Sequence, residues 1–337
     1  MKSLLTGLFI SLLLSGPCVV HAQISSPDFD IQKLAPGVYA AIHKPGGRAI
    51  CNAGIVDLGK ETLVFDPFIS PYAAGELNRV IMEMGLSPVK YVVNSHYHND
   101  HIRGNQAFDS AAIYSTQITR DLIEENEPEE IAHEKRVLPD RIHKADSILA
   151  FIPAADTEKR KQAEFWNNYY KTIVESHQAL KTTLPDHIVS GKASIKGSKL
   201  EVRLLDMGEG HTPSDLILYI PKHNIIFTGD LLFIHNHPWL ADGNPDSLKQ
   251  CLLEIKAMNP TILVPGHGPV GTPKDIDTYL QYLDDVHQSA LDLITKWIKP
   301  NQVTELPVPK AYQDWLLARF YTPNIKFCME KLLARKK

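Results

Sequence analysis

Short apolar runs, rich in β-branched and aromatic residues, recur through the first part of the chain between Gly, Pro, Asn or Asp. This pattern predicts β-strands, which we place at residues 38–42, 50–58, 62–68, 89–94 and 111–114. Between the third and fourth of these, apolar residues follow the spacing of one helix face: Leu77, Val80, Ile81 and Met84. This segment is predicted to be an amphipathic helix that ends at Gly85.

The strand pattern returns in the second half, at residues 200–207, 216–220, 224–227 and 261–264. A helix is predicted between the last two, with Asp246 as its N-cap and an apolar side formed by Leu248, Cys251, Leu252, Ile255 and Met258. The tail predicts two more helices, at 276–297 and 312–333. Strands and helices that alternate in two halves predict an α/β fold, with two sheets packed together and helices on their outer faces.

Residues 116–199 differ from their surroundings because they are rich in Glu, Lys and His and largely helical in character. An aromatic stripe follows helical spacing within them: Phe165, Trp166, Tyr169 and Tyr170, continued by Ile173. Such a stripe is typical of a buried helix face. It equally suits a lid whose aromatic side chains line a substrate pocket, and the sequence leaves both interpretations open.

The N-terminus has the pattern of a secretory signal peptide. A positive start at Lys2 precedes an apolar run at residues 4–14, and Val20-His21-Ala22 forms a cleavage site before Gln23. We therefore expect residues 1–22 to be removed and the mature protein to be periplasmic or secreted, with no stable membrane insertion. An uncleaved anchor is the alternative, although the run is short for a bilayer.

Composition narrows the choice of partners. The chain is 44% hydrophobic and 22% charged, with a formal net charge of −4, so it lacks the basic surface that nucleic acids or anionic membranes attract. A small-molecule substrate is expected instead. After processing, the cysteines Cys51, Cys251 and Cys328 remain, spaced too widely for a metal site. We expect them to be small buried residues.

The candidate chemistry starts where the fourth strand ends. His96, His98, Asp100 and His101 lie within six residues directly after an apolar strand. Alternation along an extended chain points His96 and His98 to the same side, and the following turn lets the other two address a neighbouring position. Imidazole and carboxylate are zinc ligands in the absence of cysteine. The segment therefore predicts a metal site.

Three later segments repeat one theme, a strand followed by a polar residue beside glycine. They place His211, Asp230 and His267 after predicted strands. Strand-end loops of a rigid sheet commonly carry site residues, and glycine lets the backbone turn sharply there. These three residues are expected to join the first cluster.

With these segments in this order, the sequence resembles the metallo-β-lactamase superfamily. Its signature, His-x-His-x-Asp-His with a later His, Asp and His, is matched by the residues just described. The resemblance covers roughly residues 34–270, apart from the segment 116–199 and the tail, and it implies an αββα sandwich. We therefore expect this domain at residues 23–272, with 116–199 as a largely helical insertion and 273–337 as a helical C-terminal extension.

The resemblance also implies two Zn²⁺ ions per chain. One ion would be held by His96, His98 and His211, the other by Asp100, His101 and His267, and Asp230 would bridge them. Asp66 would support the metal loop without binding metal. Paired zinc ions lower the pKa of bound water towards about 7, and Asp100 is expected to orient this nucleophile.

Residues just beyond Asp230 are candidates for substrate contact. His235, Asn236 and His237 follow a metal-bearing strand, on a loop that faces substrate in similar enzymes, so we expect them to contact the substrate or its oxyanion. Tyr97 and Asn99 lie between metal ligands and are candidates for the same cleft.

The reaction is interpreted as hydrolysis of a small ester, lactone, thioester or amide, with β-lactam turnover possible. Asp230 disfavours a dedicated β-lactamase, because zinc β-lactamases carry cysteine or serine at the position that this residue resembles. Two alternatives stay open: a sulfur dioxygenase of the same fold that uses a single iron, and a metal-binding protein without catalytic activity.

Overall fold

The computed structural model describes residues 25–334, so the expected signal peptide lies outside the described part of the chain. Two β-sheets form its centre. The larger contains, in spatial order, β1 (Phe29–Ala35), β2 (Val38–His43), β3 (Ala53–Asp57), β4 (Thr62–Phe65), β5 (Val89–Val93), β6 (Ala112–Ser115) and β7 (His187–Ile188). β1 to β4 are antiparallel, whereas β4 to β7 are parallel.

The second sheet contains β8 (Lys192–Lys196), β9 (Glu201–Gly208), β10 (Asp215–Ile220), β11 (Ile225–Phe233) and β12 (Ile262–His267). Its pairs are antiparallel except β11 with β12. The helices are α1 (Pro71–Glu83), the single turn α2 (Asn99–Ile102), α3 (Gln117–Phe151), α4 (Thr157–Ser176), α5 (Pro245–Ala257), α6 (Pro273–Thr295) and α7 (Tyr321–Ala334).

The two sheets pack face to face through apolar side chains of β3, β4, β10 and β11. Phe65 and Phe227 meet between them with ring centroids 6.0 Å apart, and Val56 and Leu218 belong to the same buried cluster. A Cβ at Gly54 would lie 2.8 Å from the Phe227 ring. This glycine therefore lets the sheets approach each other closely.

Helices cover both outer faces. Leu77 and Ile81 of α1 pack against the first sheet with Ile55, while Leu252 of α5 and Tyr279 of α6 pack against the second. All of these side chains are fully buried. The predicted fold class is confirmed: the chain is an α/β protein with the layer order αββα.

Several predicted elements differ in detail. Strand β1 was not predicted, because only Phe29 of its seven residues is buried and the strand lies at the sheet edge. The segment 116–199 contains α3 and α4, but also the edge strands β7 and β8. In the tail, short 3₁₀ turns precede α7, so that helix begins at Tyr321 rather than near residue 312.

The predicted N-cap of α5 is wrong. Asn244, not Asp246, caps the helix, since its side chain accepts hydrogen bonds from the backbone N–H groups of Asp246 and Ser247. Pro245 occupies the first helical position, where its missing N–H costs nothing. The cap therefore has to stand directly before the proline.

Cys51, Cys251 and Cys328 are buried and unpaired, as expected. Among residues 25–334, no helix is both long and apolar enough to cross a bilayer.

Gly104 provides a test of the packing beside the end of β5. A Cβ at this position would lie 1.7 Å from the carbonyl oxygen of Pro67 and 2.7 Å from Cβ of Ala74. We expect Gly104→Ala to lower the free energy of unfolding by at least about 1–3 kcal/mol, because the backbone must move. Chemical denaturation measures this change.

The matched control is Gly75→Ala, on the exposed side of α1 with no atom near the added Cβ. Alanine there is expected to raise stability by about 0.5–1 kcal/mol. Equal effects of the two substitutions would contradict this account of Gly104.

Candidate metal centre

Seven buried or half-buried side chains converge where strands of both sheets end. They form two groups, and within each group the donor atoms lie within 4.8 Å of one another. The first group is His96, His98, His211 and Asp230, and the second is Asp100, His101 and His267. The first sheet contributes the segment after β5, and the second contributes β11, the end of β12 and the loop after β9.

Asp230 lies between the two groups. Its Oδ2 is 3.4 Å from Nε2 of His211 and 3.8 Å from Nε2 of His96. Its Oδ1 is 3.2 Å from Nε2 of His101 and 3.5 Å from Nε2 of His267. One carboxylate thus presents one oxygen to each group.

Several of these donor atoms have no hydrogen-bond partner within the described part of the chain. Among the described residues, Nε2 of His96, Nε2 of His101 and Oδ1 of Asp230 are buried without a hydrogen bond. Burying such atoms unsatisfied is costly, and native proteins do so mainly where something binds. Imidazole nitrogen and carboxylate oxygen are the donors that zinc and similar ions take. The residues therefore fit metal ions.

The pKa values reflect this crowding. Burial opposes ionisation of Asp100, but His101 and His267 outweigh it and lower the pKa of this carboxyl to about 2. Burial likewise disfavours the charged form of His267, yet Asp230 and Asp100 raise its pKa to about 9. Without metal, a proton on His267 thus offsets the negative charge of these carboxylates, and a bound cation would displace this proton.

Asp66 holds the first ligand segment in place. Its carboxylate accepts hydrogen bonds from the backbone N–H and the hydroxyl of Ser95, both at 2.7 Å, and contacts Nδ1 of His101 at 2.9 Å. The Ser95 hydroxyl also contacts Nδ1 of His96 at 2.8 Å. Asp66 has a φ of 54°, a left-handed conformation that aspartate tolerates better than most residues. These bonds leave Nε2 of both rings facing the centre.

Asp242 orients His98 from the other side. Its Oδ2 lies 3.1 Å from Nε2 of His98 and accepts a hydrogen bond from the indole of Trp239. Sequence reasoning missed both residues. The available signal was the one used elsewhere, an aspartate directly before a glycine, here Gly243.

Helix α3 is bound to the ligand segment after β5 through a buried ion-pair network. Arg103, almost completely buried, donates to Glu127 and Glu134, each within about 3 Å. Asn99, between two metal-ligand candidates, donates to Glu130 and Glu134. The inserted helix therefore positions the ligand loop as well as covering it.

Glycine makes room for the central carboxylate. A Cβ at Gly266 would lie 1.9 Å from Oδ1 of Asp230, so no other residue fits beside this oxygen. The glycine beside His267 is thus required because a larger residue would collide with the Asp230 carboxylate.

A cavity of about 500 Å³ opens over the centre and is walled mainly by apolar and aromatic residues. The aromatic stripe of α4 lines it, which supports the lid interpretation, although Tyr170 and Ile173 are also buried in a small core cluster. Trp239 and the C-terminal residues Leu317, Arg319 and Phe320 complete the wall beside this stripe. Asn99 reaches this cavity; Tyr97 does not line it but packs against His98.

The three candidates beyond Asp230, His235, Asn236 and His237, lie away from the cavity over the metal centre. His237 is buried and contacts the Tyr282 hydroxyl and the Tyr312 carbonyl oxygen. His235 and Asn236 line a different cavity, and neither lies on the wall over the metal centre. Strand β11 continues to Phe233, so the chain has passed the cavity before this loop begins.

The family model described as the metallo-beta-lactamase superfamily matches residues 46–267, about two thirds of the chain and all seven clustered residues. The chain belongs to the metallo-β-lactamase superfamily. Members of this superfamily are usually hydrolytic enzymes. A hydrolase with a metal site is thus the general class into which this chain falls.

Similar proteins are distant. The chain is 21% identical to a "Beta-lactamase-like protein 2 homolog" of Caenorhabditis elegans, over 94% of this chain and 88% of that protein. It is 20% identical to a "Linear primary-alkylsulfatase" of a Pseudomonas species over 65% of this chain, and spans only 42% of that longer protein. A solved "Metallo-beta-lactamase from Pontibacter korlensis" has a TM-score of 0.56 at 17% identity, covering 76% of this chain and 99% of that one. This structural likeness concerns the fold alone.

Arg103 tests the link between α3 and the ligand loop. We expect Arg103→Met to lower the free energy of unfolding by about 3–5 kcal/mol, because two buried carboxylates lose their partner. Chemical denaturation of purified variants measures this. Lys159→Met, which removes an exposed ion pair with Asp156, should change stability little. If both variants are equally stable, Arg103 does not anchor the loop.

Substitution of Asp66 tests whether its hydrogen bonds hold the ligand segment and the His101 ring in place. We expect Asp66→Asn to weaken metal affinity about 10–100-fold, because an amide cannot accept hydrogen bonds from all three donors. Competition with a chromogenic chelator measures the affinity. Asp57→Asn is the control, since this aspartate binds Lys199 and Gly59 instead. Unchanged affinity in Asp66→Asn would remove the assigned role.

Proposed function

We propose that this protein is an exported hydrolase that holds two Zn²⁺ ions and cleaves a small ester, lactone, thioester or amide. The observation that carries the proposal is the position of Asp230, whose two carboxylate oxygens face two separate donor groups. Export rests on the N-terminal sequence pattern. The substrate is a small molecule, in keeping with the size of the cavity.

In this proposal His96, His98 and His211 hold one ion, Asp100, His101 and His267 hold the other, and Asp230 contacts both. Zinc, when bound, polarises a substrate oxygen and lowers the pKa of water from about 15.7 towards 7. The buried histidine and aspartate donors without hydrogen bonds suit this ion.

Asp100 is the residue proposed to handle the proton. It lies on the cavity wall, and its Oδ2 is 3.2 Å from Nε2 of His267. From this position a carboxylate can orient an attacking water by accepting its hydrogen and then pass the proton to the leaving group. Asp242 keeps the His98 ring from turning during this exchange.

The walls of the cavity act on the remainder of the substrate. Trp166, Tyr169 and Trp239 supply flat apolar surface, which binds hydrocarbon and excludes bulk water from the reacting centre. Substrates with an apolar body are therefore preferred over sugars or nucleotides.

A second candidate reaction is hydrolysis of a primary alkyl sulfate. It is favoured by the similarity to a protein of that name and by the apolar cavity, which suits an alkyl chain. The position of the metal donors is compatible with attack on either a carbonyl carbon or a sulfate ester.

The test is elemental analysis of the purified mature protein together with initial rates on a panel of substrates. The panel contains a chromogenic cephalosporin, an aryl ester, a lactone, a thioester, a phosphodiester and a primary alkyl sulfate. We expect about two zinc ions per chain and turnover that a chelator abolishes and zinc restores. Asp230→Asn should lose metal and activity, whereas Asp109→Asn, at an exposed site, should retain both.

The preferred bond then identifies the reaction. One iron per chain without hydrolysis would replace this proposal with oxygen-dependent sulfur chemistry. Bound zinc without turnover of any panel member would instead favour a metal-binding protein that is not catalytic.

A further inference from the structure

Arg319 occupies an unusual position at the mouth of the cavity. Its guanidinium carbon lies 3.0 Å from the ring centroid of Trp166, and its Nη1 donates a hydrogen bond to the Tyr170 hydroxyl. The side chain is nevertheless exposed to solvent. Contacts with two aromatic residues of α4 thus hold a cation in one orientation beside the apolar wall.

This cation has no anionic partner among residues 25–334. The ion pairs within 4.0 Å in that part of the chain include neither Arg319 nor Arg141, which also lines the cavity. Arg141 lies 5.9 Å from the Tyr170 ring, the ring that Arg319 also approaches. Two uncompensated positive charges therefore share one side of the mouth.

The acidic residues Glu130, Glu134 and Asp242 of the same cavity already have other partners. Glu134 binds Arg103 and His177, Glu130 accepts from Asn99, and Asp242 contacts His98 and Trp239. Partial burial against α4 is the main cause that lowers the pKa of Arg319, and the like charge of Arg141 adds to it. An anion brought to this position would offset the repulsion between the two guanidinium groups.

We propose that Arg319, assisted by Arg141, binds a carboxylate on an otherwise apolar substrate, at a point removed from the bond that is cleaved. The inference rests on the proposed function and narrows its substrate class to acyl compounds with a negatively charged end. Arg319 lies outside the residues that match the family model, so this specificity belongs to the C-terminal extension.

The geometry supports recognition in addition to packing. A guanidinium has five N–H donors, and among residues 25–334 only one hydrogen bond, to Tyr170, engages them. The remaining N–H donors are available to a carboxylate, which arginine binds through two parallel hydrogen bonds. If Arg319 only packed the tail against α4, an uncharged side chain would serve equally well.

The test compares two substrates that differ only at one end, the p-nitrophenyl ester of hexanoic acid and the mono-p-nitrophenyl ester of adipic acid. We expect the wild type to have the higher kcat/KM for the adipate ester. Arg319→Met should lower that value about tenfold, as expected for loss of a charged hydrogen-bond partner, and leave the hexanoate ester within about twofold. Arg319→Lys should lie between, and Lys144→Met, an exposed lysine on α3, should match the wild type.

Equal losses on both esters in Arg319→Met would mean that the residue only packs, and an unchanged adipate ester would overturn the proposal directly. Binding provides a readout that does not need turnover. Quenching of tryptophan fluorescence by hexanoate and by hexanol is measured with the metal-loaded protein and its variants. Arg319→Met should weaken the binding of hexanoate about tenfold and leave the binding of hexanol unchanged. This difference is expected even if the protein hydrolyses neither ester. If the difference is absent, the carboxylate site is refuted while the proposed hydrolase function is not.

Discussion

The structure is organised around one electrostatic requirement, that seven histidine and aspartate side chains face a common centre with several of their donor atoms left without a hydrogen bond. Such an arrangement is unfavourable by itself, since buried polar atoms without partners destabilise a fold. Surrounding residues impose it. Asp66 and Asp242 occupy the outward nitrogens of the rings, Gly266 leaves space for Asp230, and Arg103 ties the ligand loop to α3. The two packed sheets provide the rigid edge on which these constraints operate.

Substrate contacts come from other parts of the chain. The strands present the donor atoms, whereas α3, α4 and the C-terminal segment build the cavity walls. The helical insertion both lines the cavity and positions the ligand loop. Helix α3 lines the cavity with Leu138, and its Glu127 and Glu134 bind Arg103. A substrate that presses on this wall therefore acts on a helix already coupled to the ligand loop.

The sequence was sufficient for the layer order and for all seven clustered residues, since apolar strands ending in His, Asp and Gly leave a local pattern. It was insufficient where the decisive contacts join distant segments. Trp239 and Arg319 are ordinary aromatic and basic residues until α4 packs against the tail. The position of His237 in the core could not be read from the sequence either, because it depends on where β11 ends and on the contact with Tyr282 of α6. Strand β1 escaped notice because an exposed edge strand has little apolar periodicity.

The division between donor-bearing strands and wall-forming helices has an evolutionary consequence. Substitutions in α4 or near Arg319 alter what enters the cavity without touching any donor atom, so substrate range can drift while the chemistry is preserved. Relatives that share about a fifth of their residues with this chain would then agree at the strand ends and diverge at the entrance. New substrates then become accessible through few mutations, and none of these changes the metal motif.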